Sequence, residues 1–359
     1  MSDSTQKLHA IGQRLWLDNI TRELLDNRTL NHYIEALNVT GLTSNPTIFD
    51  NAIAGSDAYD DAIREASGHG HSDETIFMEL ALQDLRRAAD LFLPIFTGSN
   101  KRDGWVSMEI SPLLAQDTEG SIRAAQDVFD KAQRPNLFVK IPGTPQSIPA
   151  IEEAIYAGIP VNVTLLFSPA QYVEAAHAYM RGIERRIANE LDPQVMCVAS
   201  VFVSRWDAAV YEKVPQALQN KLGIAICQQC QAEHLKIMRS ERWLRLVKEG
   251  AYPQRLLWAS TGTKDPAASD TLYVDSLIAP DSINTLPEKT LLAFADHGDV
   301  SKQMPWDDLE AQAVLRAHWK VGIDIDALAI KLQEQGAESF VKSWRQLLER
   351  IAQKCQSLK

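Results

Sequence analysis

The chain has 359 residues, of which 45% are hydrophobic and 23% charged, the balance of a globular protein with a large core and not of a disordered one. Its formal net charge of −11 argues against a general nucleic-acid binder and against a ligand of acidic membranes. An anionic substrate would need a local basic pocket.

The amino terminus, Met-Ser-Asp-Ser-Thr-Gln-Lys, is polar and lacks the apolar core of a secretory signal, and no later run is long and apolar enough to span a membrane. A cytoplasmic location is the expectation. The first apolar run, 15–18, ends in an acid, Asp18, and a helix is expected from 19 to 37. Residues 39–46 read as a strand passing into a small-polar turn with Thr43, Ser44 and Asn45. Helical periodicity then fills 56–65 and 72–96. The strand at 105–110 again carries an acid near its end, Glu109, and Asp117-Thr-Glu caps a helix running to 133.

The next strand is the most informative stretch. Leu137, Phe138, Val139 and Ile141 form a short apolar run bounded by prolines, which reads as a strand buried on both faces, and Lys140 lies inside it. Burial disfavours the ammonium, so such a lysine must pair, reach water or lose its charge. As a free amine it is a nucleophile able to form a Schiff base with a ketone. The competing reading is a lysine near the strand end that touches water or a carboxylate.

A helix is expected at 146–156, then a strand at 159–168 in which Asn162 and Thr164 fall on one side. After a helix at 169–189, the strand 196–203 holds Ser200, with Arg205 just beyond. Helices from 207 to 248 lead to a strand beginning at 255 and ending near Ser260 and Lys264, and the last strand is expected at 275–280. Cys227 and Cys230 form a CxxC motif in helical sequence without a second ligand pair, so they are read as core or surface thiols and not as a metal or redox site. Four cysteines are also too few for a disulfide framework.

Short strands alternating with helices imply parallel βαβ units. About eight of them fit a closed α/β barrel better than an open doubly wound sheet. One domain over 1–359 is expected, with 303–359 as helices packed on the barrel exterior. In a parallel barrel the polar residues at the carboxyl ends of the strands converge on one mouth. Those residues are Asp18, Thr43, Ser44, Asn45, Glu109, Lys140, Asn162, Thr164, Ser200, Arg205, Ser260 and Lys264. Each alone has a plain structural reading, Asp18 as a helix cap, Asn45 as a turn residue, Asn162 as a satisfied core amide. A polar group at nearly every strand end is harder to explain without a site.

The segments Gly-Leu-Thr-Ser-Asn-Pro-Thr-Ile-Phe at 41–49, Leu-Phe-Val-Lys-Ile-Pro-Gly-Thr at 137–144, Gly-Ile-Pro-Val-Asn-Val-Thr-Leu-Leu-Phe-Ser at 158–168 and Ala-Ser-Val-Phe-Val-Ser-Arg at 199–205 resemble the signature segments of the transaldolase family, in order. The segments at 261–264 and 279–287 are similar to the subclass also found fused to a glucose-6-phosphate isomerase domain. The resemblance implies a (β/α)8 barrel of circularly permuted order, a cytosolic pentose phosphate pathway enzyme, phosphorylated ketose and aldose substrates, and neither a metal nor an organic cofactor. By position, Lys140 matches the Schiff-base lysine, Asp18 and Glu109 the acid/base pair, and Asn45, Asn162, Thr164 and Ser200 the groups around a bound dihydroxyacetone unit. Arg205 and Ser260 match phosphate positions. Where much of the family has an arginine soon after that serine, this chain has Thr-Gly-Thr-Lys, so Lys264 is assigned by charge alone.

The implied reaction is reversible transfer of dihydroxyacetone between sugar phosphates. Two alternatives stand beside it, a fructose 6-phosphate aldolase that releases free dihydroxyacetone, and a silent sugar-phosphate-binding barrel. A silent relative would be expected to have lost Lys140, Asp18 or Glu109. The sequence does not separate a monomer from a homodimer.

Overall fold

The computed structural model describes residues 3–358. Eight short strands, buried on both faces, are connected so that each pairs in parallel with the next. They are β1 (Arg14–Asp18), β2 (Val39–Thr43), β3 (Trp105–Glu109), β4 (Leu137–Pro142), β5 (Val161–Leu166), β6 (Cys197–Phe202), β7 (Arg255–Ala259) and β8 (Ile283–Leu286). β8 pairs with β1, which closes the barrel. Nearly continuous apolar runs suit strands covered by helices outside and by side-chain layers within.

Helix α1 (Asp3–Ile11) precedes the barrel, and α2 (Arg22–Asp26) and α3 (Thr29–Leu37) follow β1. The single helix expected over 19–37 is broken where Arg28 takes a left-handed backbone at φ 63°. Between β2 and β3 lie α4 (Pro46–Ala54), α5 (Asp60–Gly68) and α6 (Asp73–Gly98). α4 was not expected: Asn45, read as a turn residue, caps it by accepting from the Ile48 amide, and Pro46 takes the first helical position.

Helices α7 (Thr118–Ala132), α8 (Ile148–Ala157) and α9 (Pro169–Ala188) are the crossovers after β3, β4 and β5. Asp117 caps α7 and Ser168 caps α9, as the small polar residues before each helix dictate. α10 (Ser204–Val210), α11 (Leu222–Arg239) and α12 (Glu241–Lys248) join β6 to β7. Cys227 and Cys230 are fully buried on α11.

The expected strand at 275–280 is a correction. Its beginning belongs to a short helix, α13 (Leu272–Ser276), and Leu277, Ile278 and Ala279 are buried in the connection without pairing into the sheet. The true last strand is Ile283–Leu286, four residues of which Asn284 and Thr285 are polar. The more apolar run drew the assignment, but burial alone does not make a strand.

The chain ends in α14 (Glu288–His297), α15 (Leu309–Lys320) and α16 (Ile325–Ser357). α16 packs on α4, α5 and α6 and reaches β5 at the barrel mouth. Its buried residues include Leu332, Gly336, Trp344, Leu347, Ile351 and Cys355, a helical stripe. Trp344 is 1% exposed and meets Phe77 edge-on at 5.1 Å, so it covers the barrel and does not face outward. Among the described residues, no helix is long and apolar enough to cross a membrane.

Candidate active site

Lys140 stands on β4 with Glu109 beside it on β3 and Asn162 on β5, each in register. Register partners in a parallel sheet project side chains to the same face, so the three meet inside the mouth. Lys140 is 6% exposed. Its Nζ donates to the Ser44 carbonyl at 2.6 Å and lies 3.7 Å from Glu109 Oε2. That oxygen is buried and accepts no hydrogen bond from any described residue. Burial pushes the Glu109 carboxyl above its ordinary range, the lysine cation pulls it back, and the charge of Asp18 pushes it up again.

Asp18 ends β1, opposite Thr43 on β2. Its Oδ1 accepts from Thr43 Oγ1 at 2.7 Å, and Thr43 Oγ1 in turn lies 2.7 Å from Thr285 Oγ1. Since Thr43 gives its hydrogen to the carboxylate, Thr285 is the donor in the second contact. Burial raises the Asp18 carboxyl, against the Thr43 hydrogen bond and the Lys140 charge.

On the far side, Ser200 donates to Asn162 Oδ1 at 2.6 Å, and Asn162 Nδ2 donates to Ser107 Oγ at 3.3 Å. Asn162 is thereby held in one orientation. Thr164 Oγ1 is buried and has no partner among the described residues. Asn45 faces the same space while its Oδ1 caps α4. At the rim, Arg205 opens α10 with its guanidinium over the Phe202 ring at 5.1 Å and the Phe340 ring at 5.9 Å. Ser260 sits in left-handed backbone at φ 57° with its hydroxyl 2.9 Å from that of Ser204. Lys264 is exposed at the edge.

All of the residues singled out from the sequence, except Glu109 and Ser44, line one cavity of about 160 Å³. Glu109 lies behind Lys140. Ser44 turns its hydroxyl to the Ser107 carbonyl at 2.9 Å and offers the site its own carbonyl. A larger cleft of about 760 Å³ runs between α5, α6 and α7, but it gathers no amine with buried carboxylates. Among the described residues, no group of three or more His, Cys, Asp or Glu is arranged to hold a metal ion.

Sequence reasoning missed Thr285, Ser107, Phe202 and Phe340. Thr285 was lost with the misplaced last strand, and Phe340 comes from α16, far from any strand end. Ser107 and Phe202 lay inside recognised strands but are residue types that any core accepts.

The arrangement joins a buried amine, two carboxyl groups displaced toward the protonated form, amide and hydroxyl groups for a polyol, and two cations at the rim. That set can add an amine to a carbonyl, shuttle the protons of dehydration, and hold a phosphate at the far end.

The family model described as Transaldolase/Fructose-6-phosphate aldolase matches residues 15–351. "Transaldolase" from Saccharopolyspora erythraea is 39% identical over 100% of this chain and 99% of its own length. "Transaldolase" from Thiobacillus denitrificans is 41% identical, with 97% and 99% covered. "Transaldolase 2" from Nostoc punctiforme is 38% identical, with 97% and 96% covered.

Proposed function

The chain belongs to the transaldolase/fructose-6-phosphate aldolase family, and we infer that it is a transferase carrying out the transaldolase reaction. A dihydroxyacetone unit moves reversibly from sedoheptulose 7-phosphate to glyceraldehyde 3-phosphate, giving erythrose 4-phosphate and fructose 6-phosphate in the non-oxidative pentose phosphate pathway. The observation that carries the assignment of roles is the Lys140 amine, buried 3.7 Å from Glu109 in a cavity it shares with Asp18.

Breaking a C3–C4 bond beside a ketone leaves an electron pair on C3 that water does not stabilise. Lys140 Nζ therefore adds to C2 of the ketose, forming a carbinolamine. The nitrogen sheds its extra proton as the carbinolamine forms; loss of the C2 hydroxyl as water then needs a proton delivered to that oxygen while the nitrogen lone pair forms the C=N bond, and Glu109 with the unpartnered Thr164 hydroxyl relays these protons. The product is an iminium ion. Asp18 then takes the C4 hydroxyl proton, the C3–C4 electron pair flows into the iminium, and the aldehyde phosphate leaves. The three-carbon enamine stays on Lys140.

Asn45, Asn162 and Ser200 hold the hydroxyls of the enamine, while Arg205, Ser260 and Lys264 bind the phosphate of donor and acceptor in turn. The acceptor aldehyde takes the enamine carbon, Asp18 returns the proton, and water hydrolyses the new iminium.

The test is borohydride reduction with fructose 6-phosphate present, followed by peptide mass spectrometry. A three-carbon adduct on the peptide containing Lys140 is expected, and Lys140→Ala should lose both adduct and turnover. An adduct on a different lysine, or appreciable transfer by Lys140→Ala, overturns the assignment. Dihydroxyacetone release without an acceptor separates the two family activities: transfer predicts slow release that acceptor outcompetes.

A further inference from the structure

β5 does not run straight to its end. Its register with β6 shifts between Val163 and Leu166, and within the shift Leu165 adopts a left-handed backbone at φ 58°. A leucine there costs about 1–2 kcal/mol, so the surrounding structure must impose it. Bulges of this kind beside active sites re-aim a side chain. The residue immediately before this one is Thr164.

Gln333 of α16 holds the distortion in place. Its Nε2 donates one hydrogen to the Leu165 carbonyl and the other to the Gly143 carbonyl, each at 2.9 Å. Gly143 follows β4 directly, and its own amide donates to the Thr164 carbonyl at 2.7 Å. A helix remote in sequence thus ties the carboxyl ends of the two strands that bear Lys140 and Thr164. Gln333 is 6% exposed, so water does not replace these bonds easily, and two buried carbonyls depend on one nitrogen. The stitch lies three residues beyond Lys140 and one beyond Thr164.

We propose that Gln333 is a positioning residue for carbinolamine dehydration: by clamping the Leu165 bulge to the end of β4 it sets the Thr164 hydroxyl against Lys140. This rests on the roles given to Lys140 and Thr164 above. Gln333 touches no substrate and acts only through the strand ends.

The test is Gln333→Met, which keeps the side-chain volume and removes both donors. A misplaced catalytic group costs rate more than binding, so kcat should fall roughly 10- to 100-fold with KM changed less than about twofold. Single-turnover borohydride trapping should show the Lys140 adduct forming more slowly by the same factor. Leu347→Ala, elsewhere on α16, is the control: it loosens the helix and lowers Tm but should leave kcat of the folded enzyme unchanged. If Gln333→Met does not fold, Gln333→Asn retains the amide but withdraws it by one methylene, and the same loss of kcat is expected. A Gln333 variant with kcat within twofold of the parent, or a loss equalled by Leu347→Ala, overturns the proposal. If the parent enzyme traps no adduct on Lys140, the assignment of the lysine fails instead, and the two failures are told apart by that one peptide.

Discussion

Arg255 at the base of the barrel and Lys140 at its mouth are almost equally buried, 5% and 6% exposed, but they are used in opposite ways. Arg255 opens β7 and gives hydrogens to the carbonyls of Asp281, Arg102 and Ser282 at 2.9, 2.9 and 3.3 Å. Near it Asp103 takes Arg14 Nε on one oxygen and Trp16 Nε1 on the other, both at 3.2 Å. Above that layer Trp105 stacks on Phe138 at 4.2 Å. At the mouth Lys140 has one carbonyl and one carboxylate oxygen at 3.7 Å, and Glu109 Oε2 and Thr164 Oγ1 are buried with no hydrogen bond from any described residue. A buried polar group without a partner destabilises the fold by about 1–3 kcal/mol. At the base the charges of Arg255 and Asp103 are met within the chain, and the buried atoms left without a partner there, Gln13 Oε1, Thr40 Oγ1 and Gln254 Oε1 among them, belong to neutral groups. At the mouth the unpartnered atoms belong to Glu109 and Thr164 beside the Lys140 amine, where a bound substrate can take them up.

The sharpest way to test that contrast is Asp18→Asn, which keeps the acceptor for Thr43 and removes the charge. Loss of a general base should lower kcat by roughly 10²–10⁴-fold. The stability effect should have the opposite sign. Burial raises the folded-state pKa of Asp18, so between its unfolded pKa and that raised value the native chain binds more protons than the unfolded one. Stability therefore falls as pH rises through this window, and the penalty is complete above the folded pKa. Asp18→Asn should raise Tm at pH 8, with the gain vanishing below about pH 4, where the aspartate is protonated in both states. A Tm that falls at pH 8 would mean that the Asp18 charge supports the fold, and the contrast with the base would fail.

Arg255→Met is the reverse experiment. It orphans carbonyls at the base and should cost roughly 2–4 kcal/mol, read as a lower Tm, while kcat per folded molecule stays within about twofold of the parent. A large loss of kcat at unchanged KM would show that the two ends are coupled through the side-chain layers between them.

Much of this division was legible in the sequence. A single polar residue near the carboxyl end of an apolar strand marks the mouth, and Asp18, Glu109 and Lys140 each announce themselves that way, whereas the charge of Arg255 falls at the start of its strand. Resemblance added the assignment of roles. What was not legible has a common physical origin in long-range packing. β8 is four residues long and half polar, so the more apolar 277–279 outweighed it, and Thr285 was lost with it. The Leu165 bulge runs against propensity, since nothing in a leucine signals positive φ. Gln333 and Phe340 sit in an amphipathic helix whose periodicity says only that one face is buried, not that this face touches the site.

That face offers the smallest and most specific test. Gln333, Gly336 and Phe340 are spaced three and four apart and so share one side of α16. A Cβ on Gly336 would come within 3.2 Å of Nη1 of Arg205, the arginine proposed to bind the phosphate, and within 2.8 Å of Leu165 Cδ2. The guanidinium also lies over the rings of Phe202 and Phe340, so the room it has to yield is on the side of the cavity. Gly336→Ala should therefore displace the guanidinium by a few tenths of an ångström and raise KM for phosphorylated substrates by about 3- to 10-fold, since each 1.4 kcal/mol lost from a charge-assisted contact is tenfold in affinity. kcat should change less, because in the proposed mechanism the bonds that form and break lie at Lys140 and not at the phosphate. Helix propensity pulls the other way, as alanine in a helix interior is favoured over glycine by up to about 1 kcal/mol, so Tm should hold or rise. If Tm falls and KM does not move, glycine is there for the packing of α16 on Leu165, and Arg205 yields without loss of phosphate binding.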